Sequence, residues 1–229
     1  VFPLLWVTSV TPVCLPEETL HDPDRTLDEM SMVRRGLGIL GGTFDPPHIG
    51  HIAAAKAVFD ALLLERVLLM VANKPWQKVG HRPLSAPEDR LAMTRAAVTG
   101  TDGLETSDLE IRRGGPTYTI DSLEELHLSN PDTDLFLILG ADAAAGLDSW
   151  HRWSELPGLA TLVIVERDGE TRAEASPEWS IERVTMPRVD ISSTELRSAA
   201  ARGATLSPFV PESVIAEIES RGLYGLGGS

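Results

Sequence analysis

Residues 36–64 read GLGILGGTFDPPHIGHIAAAKAVFDALLL. The first seven, GLGILGG, form a short apolar segment that reads as a buried strand ending in Gly41-Gly42. From His48 to Leu64 the chain is rich in alanine and leucine, which predicts a helix. Asp45 followed by Pro46 and Pro47 looks like the cap and first positions of that helix. A strand that passes through a glycine turn into a helix is the opening unit of an open α/β sheet.

The same alternation continues along the chain. RVLLMVA reads as a second strand. Ser85-Ala86-Pro87-Glu88 predicts a capping box opening the helix PEDRLAMTRAAV. LETSDLEI alternates like a strand, and Thr117 to Leu128 reads as a helix. DLFLILG carries five apolar residues in seven, which predicts a central strand buried on both faces. LVIVER is another strand. Ser192-Ser193-Thr194-Glu195 is a second capping box, starting the helix SSTELRSAAARG, with Gly203 as its C-cap. PESVIAEIESRG, between Pro211 and Gly222, reads as the last helix. The expected fold is therefore α/β: a single Rossmann-like open, mostly parallel sheet with helices on both faces. Ligands in such folds bind beyond the carboxyl ends of the strands, which is where GGTFDPPHIGH and ISSTELR fall.

The 229 residues suffice for one sizeable domain, assigned to residues 34–229. Residues 1–33 lack a clear period and read either as a disordered tail or as sequence upstream of the true start, with Met30 and Met32 just before the first strand. The formal net charge of -14 argues against a nucleic-acid binder with a broad basic surface, while leaving room for a local anion site. With one cysteine, Cys14, no internal disulfide can form, and the cytoplasm is the default compartment. No apolar run is long enough to span a bilayer, so no membrane partner is expected. The sequence leaves a homo-oligomer open.

The chemistry is concentrated in two segments. In GGTFDPPHIGH the glycines let backbone approach a ligand, and the helix start offers free N–H groups and a positive dipole end. His48 and His51, three apart, share one face of the first turn and can donate to anionic oxygens. The alternative is an ordinary turn with surface histidines. A metal site has less support, because two histidines lack a third ligand and the HExxH spacing is absent. The second segment, Ile191 to Arg197, places three hydroxyls at a helix start and Arg197 one turn on, a set that suits a polyphosphate. Alone it would read as a plain capping box.

Together these segments resemble the nucleotidyltransferase superfamily with the HxGH motif. Class I aminoacyl-tRNA synthetases also carry HIGH, but they are larger and have a KMSKS loop that is absent here. Within the superfamily, GGTFDPPHIGH resembles bacterial nicotinate-nucleotide adenylyltransferases. Gly115-Pro116-Thr117-Tyr118-Thr119-Ile120-Asp121 resembles their S/T-Y-T-x-D stretch, Gly140-Ala141-Asp142 their G-x-D, and Arg221-Gly222-Leu223-Tyr224 their G-L-Y ending. Trp150 resembles the tryptophan that faces the nicotinate ring. Arg167 resembles the arginine of an R-P-G turn, although Asp168 follows it here. Where the family often has P-P-H-K, this chain has NKPWQKVGHRP, and Lys78, or His81 with Arg82, would take the lysine's place. Pantetheine-phosphate adenylyltransferases share GTFDP and an ISST-like segment but usually have threonine at the position of His48. A third relative type prefers nicotinamide mononucleotide, and a catalytically idle nucleotide-binding module is a further alternative.

The resemblance implies transfer of an adenylyl group from ATP to nicotinate mononucleotide, with Mg2+ carried on the ATP. It implies that His48, His51 and Arg197 act on the phosphates. Gly41, Gly42 and the backbone of Thr43 and Phe44 would form the floor beneath the nucleotide phosphates, Gly140 and Asp142 would meet the nucleotide, and Ser193 and Thr194 would hold its terminal phosphates. Thr117, Tyr118, Trp150 and Lys78 would hold the acceptor.

Overall fold

In β1 (Arg34–Gly42), Leu37 and Ile39 point to one side of the sheet, while Gly36 and Gly38 carry no side chain on the other. A Cβ on Gly38 would lie 2.8 Å from a Val67 methyl and 3.0 Å from Ile138 Cδ1, so neighbouring side chains fill the space a side chain would need. This computed structural model describes residues 34–75, 84–167 and 176–226. The expectations for residues 1–33 and for Lys78, His81, Arg82 and Asp168 lie outside the described residues.

After β1 come α1 (Ile49–Leu62), β2 (Leu64–Val71), β3 (Lys74–Pro75), α2 (Pro87–Val98), β4 (Leu104–Ser107), α3 (Leu109–Arg113) and β5 (Pro116–Thr117). Then follow α4 (Thr119–Ser129), β6 (Asp134–Gly140), α5 (Ala141–Ala145), β7 (Thr161–Arg167), β8 (Ile181–Met186), α6 (Ser193–Ala201) and α7 (Glu212–Ser220). Six strands form one sheet in the order β4-β2-β1-β6-β7-β8, and β3 pairs with β5 in a separate ladder. Every pairing in the six-stranded sheet is parallel. The chain runs outward from β1 through β2 to β4, then returns to β6 and runs the other way. The ends of β1 and β6 are therefore the topological switch point where ligands bind.

Alternate residues of each strand feed opposite cores. On one face Ile39, Met70, Leu137, Leu139 and Ile164 pack with Leu109, Ile120 and Leu123 of α3 and α4. On the other, Val67, Leu69, Ile138, Val163 and Val165 pack with Ala55 and Val58 of α1 and Leu91 and Val98 of α2. A third cluster joins Met93 and Ala97 of α2 to Leu196 of α6 and Val214 and Ile218 of α7.

Several local expectations shift. Helix α1 is capped by His48, not by Asp45, because Phe44 takes φ +48 and the chain turns before the prolines, burying Asp45 completely. Helix α2 is capped by Ala86 rather than Ser85; the Ser85 carbonyl accepts from Arg90 Nε at 3.0 Å. Only LETS of LETSDLEI is strand, since from Leu109 the chain coils into α3. Helix α4 begins at Thr119, because Pro116 and Thr117 pair with β3. Strand β8 went unread. It lies at the sheet edge, its Glu182 and Arg183 mask the alternation, and Arg183 pairs with Glu166 of β7. The second capping box forms as read: Glu195 N donates to Ser192 Oγ at 3.2 Å, and Ser192 N to Glu195 Oε2 at 2.9 Å.

Two buried polar groups tie the loops at the switch point together. Arg90 of α2 is 1% exposed. Its Nη1 donates to Thr43 O at 3.0 Å and Ala72 O at 2.7 Å, and its Nη2 to Asn73 O at 3.0 Å. Asp45, fully buried, accepts from the Tyr224 hydroxyl at 2.6 Å. Burial first, then this bond to the Asp45 carboxylate, raises the Tyr224 pKa and keeps the phenol protonated as the donor. The chain end is thus latched to the turn after β1. Tyr224→Phe removes one hydrogen bond to a buried carboxylate, and is expected to lower stability by about 1–3 kcal/mol, read as a shift in the urea denaturation midpoint.

Candidate active site

Two clefts open beyond the strand ends, one on each face of the sheet. The larger, about 420 Å³, lies on the side of Leu40, Ile138 and Val165. The smaller, about 220 Å³, lies on the side of Ile39, Leu137 and Leu139. Thr43 and Ala143 line both, so the clefts meet over the ends of β1 and β6.

The larger cleft gathers most of the predicted phosphate residues: Thr43, His48 and His51 from the turn and α1, Gly140 and Asp142 beside β6, and Ser193, Thr194 and Arg197 from α6. Arg167, at the end of β7, lines it too. The two distant sequence segments are in direct contact. Ser193 Oγ donates to Pro46 O at 2.9 Å, and Arg197 Nη1 to Asp45 O at 2.6 Å. Arg197 Nη2 also donates to Thr194 Oγ1 at 2.9 Å.

The histidines differ. The His48 backbone N–H donates to His51 Nδ1 at 3.2 Å. With Nδ1 accepting, the neutral His51 ring carries its proton on Nε2 and is a donor there. Its ring lies 3.8 Å from that of His48 and meets Phe44 edge-on at 5.1 Å. Phe44 itself is core, 1% exposed, so its side chain supports His51 rather than facing a ligand. His48 is 7% exposed, and its Nδ1 has no hydrogen-bond partner among the described residues. Burial, helped by the Arg167 charge, lowers its pKa from 6.5 to about 4. It is a neutral ring at pH 7.

The smaller cleft holds Gly41, Gly42, Thr117 and Trp150. The glycines thus border the smaller cleft, and Thr43 is the member of their group that reaches both. Tyr118 packs against the core and stacks on His151, 4.3 Å between centroids. Thr117 Oγ1 accepts from Asn73 N at 3.0 Å and Lys74 N at 3.2 Å. Among the described residues, no group of three or more His, Cys, Asp or Glu could hold a metal. None of their helices is long and apolar enough to cross a membrane.

Two buried residues that shape these clefts were not read from the sequence. Arg90 left a signal: in α2 it occupies the stripe of Leu91, Met93, Thr94 and Ala97, all buried. Glu110 left none, because its segment reads as a strand. It lines the smaller cleft at 5% exposure.

His48 gives the protein a pH signature. The unfolded chain takes up this proton near 6.5, the folded chain only near 4. The unfolded state binds more protons in between, so stability is full above about 6.5 and falls as pH drops toward 4. Denaturation at pH 7 and pH 5 should show the wild type losing about 1–2 kcal/mol more than His48→Asn over that step.

The cytidylyltransferase-like family matches residues 39–199. A probable nicotinate-nucleotide adenylyltransferase of Streptomyces coelicolor is 42% identical over 186 residues, covering 81% of this chain and 98% of the relative. Another, of Mycobacterium avium, is 42% identical over 193 residues, covering 81% and 90%. Among solved structures, the Plasmodium falciparum nicotinic acid mononucleotide adenylyltransferase complexed with NaAD superposes with a TM-score of 0.68 at 18% identity, covering 82% of this chain and 97% of that one, a likeness of fold. By family match and by identity over most of its length, this chain belongs to the cytidylyltransferase-like family and, within it, to the nicotinate-nucleotide adenylyltransferases.

Proposed function

We propose that this protein joins nicotinate mononucleotide to ATP, giving nicotinate adenine dinucleotide and pyrophosphate, a step of NAD biosynthesis. The observation that carries this is the pair of clefts meeting at Thr43 and Ala143, one lined by phosphate-binding groups and the other apolar with an indole in its wall. Relatives of the same name at 42% identity support the choice of acceptor. Trp150 favours a flat aromatic ring in the smaller cleft over the extended chain of phosphopantetheine.

The chemistry needs little beyond positioning. The 5′-phosphate oxygen of the acceptor is already ionised at neutral pH, so no general base is required. It forms a bond to the α-phosphorus of ATP as the bond from that phosphorus to the bridging oxygen breaks in line, and pyrophosphate leaves with the electron pair. No proton has to move. Catalysis then rests on orientation and on stabilising charge on the equatorial oxygens. In this reading His51 Nε2–H donates to the α-phosphate. His48, neutral, lies alongside. Ser193, Thr194 and Arg197, at the positive end of α6, receive the β- and γ-phosphates. Gly140 and Asp142 border the nucleoside. Mg2+ enters on the ATP oxygens as part of the substrate and keeps most of its water. Trp150 stacks on the pyridine ring, with Thr117 and Tyr118 at its edge; Lys78, or His81 with Arg82, supplies the phosphate contact of its loop.

Pyrophosphate release from Mg-ATP, measured with nicotinate mononucleotide, nicotinamide mononucleotide and phosphopantetheine side by side, should be fastest with the first. Preference for phosphopantetheine would overturn the acceptor assignment. His51→Ala should lower kcat by about 10²–10³, as for loss of one oxyanion donor. We also assign the activity to residues 34–229, since the family match begins at residue 39. A chain starting at Arg34 should keep its turnover, and a large loss would assign residues 1–33 a part in the site.

A further inference from the structure

Glu110 is the one titratable side chain among the described residues lining the smaller cleft. It sits in α3 and is held from two sides. Ser122 Oγ of α4 donates to its Oε1 at 2.7 Å, and Ser122 accepts in turn from Arg113 Nη2 at 2.9 Å. The Thr117 hydroxyl, whose lone pairs serve Asn73 and Lys74, favours its charged form as well. The charged groups acting on it are Arg113 of its own helix, itself 3.2 Å from Glu125 of α4, and Arg90 of α2, held by its four carbonyls. Neither cation lines the cleft. Burial outweighs the two hydroxyls and the two cations, raising the Glu110 pKa from 4.5 to about 7. Both protonation states are therefore populated at neutral pH.

The cleft has the volume of a sphere roughly 7 Å across, a separation at which like charges repel strongly in a poorly hydrated site. A pyridine ring stacked on Trp150 would share this space with the Glu110 carboxyl and with Thr119, at the start of α4. We propose that Glu110 sets the choice between acid and amide acceptors: protonated, it accepts the ring carboxylate as a neighbour and can donate to it; ionised, it repels the carboxylate and accepts from the carboxamide N–H. This rests on the acceptor reading given above. Thr117 and Ser122 act through Glu110 as positioning residues.

The test is the ratio of kcat/KM for nicotinate mononucleotide to that for nicotinamide mononucleotide, at saturating Mg-ATP, from pH 5.5 to 8.5. The two acceptors share the ribose, the 5′-phosphate and the cationic ring, so titrations common to both cancel in the ratio. The carboxylate of the acid stays ionised throughout. In the wild type the ratio should fall by about tenfold with rising pH, with its midpoint near 7. Glu110→Gln, which keeps the hydrogen-bonding shape without a titrating proton, should give a flat ratio. A flat or rising ratio in the wild type overturns the proposal, as does an unchanged slope in Glu110→Gln. The wild-type profile stands even if the variant fails to fold. Turnover of neither acceptor overturns both readings; turnover with a pH-independent ratio overturns this one alone.

Discussion

A single buried guanidinium sets the geometry of both clefts. Arg90 reaches from α2 to the carbonyls of Thr43, Ala72, Asn73 and Ser85. Burying a cation is costly, and burial does lower its pKa, but four carbonyls and the nearby Asp45 charge offset this. The fork shape of Arg allows contact with several carbonyls at once, which a lysine could not reproduce. Thr43 and Ala72 are walls of the clefts, so the distance between the two sites is fixed by one side chain that faces neither. From the other side, Tyr224 and Arg197 take hold of Asp45. The last helices thereby become part of the site, although they follow the first motif by some 150 residues.

The same constraint explains why Phe44 is held at φ +48, a conformation that costs a non-glycine residue on the order of 1 kcal/mol. Its ring is buried in the core on the helix α1 side, and a Cβ on Gly42 would come within 2.8 Å of it. The strained turn is thus over-determined: glycine before it, a buried ring in it, Asp45 latched after it. The reward is orientation. Phe44 meets the His51 ring edge-on, and the His48 N–H fixes which nitrogen of His51 donates. In a reaction that needs no acid or base, such orientation is most of what a protein can contribute.

Much of this was legible in the sequence. DLFLILG is the central strand it looked like, buried along five consecutive residues, and the alternation of elements implied the sheet. The two segments that meet at the larger cleft were readable because glycine, hydroxyls and helix caps are local signals. What escaped was non-local. Asp45 looked like a helix cap because it precedes Pro-Pro; Tyr224, 179 residues later, and the buried Arg90 charge favour burying it instead. Ser85 looked like a cap until Arg90 claimed its carbonyl. Glu110 alternated into an apparent strand, and nothing in LETSDLEI shows that the chain coils at Leu109. Burial, which decides the charge state of Glu110 and His48, is a property of the fold as a whole.

The net charge of -14 presents a puzzle for a protein whose proposed substrates are polyanions. At physiological ionic strength, exposed charges are screened beyond about 8 Å. Repulsion from the surface at large is therefore weak, and capture depends on what lines the cleft. There the balance is reversed. Arg167 and Arg197 line the larger cleft together with the residues at the start of α6, a nine-residue helix whose dipole is positive at that end. The smaller cleft has the opposite character, with a lone carboxyl and no cation among its described lining residues. The clefts thus differ in side-chain charge, while each borders a helix start, α6 at the larger and the eleven-residue α4 at Thr119 in the smaller. A cation in the smaller cleft would bind any carboxylate tightly; under the proposal made above, Glu110, its pKa raised by burial, ties the discrimination between acid and amide to pH instead.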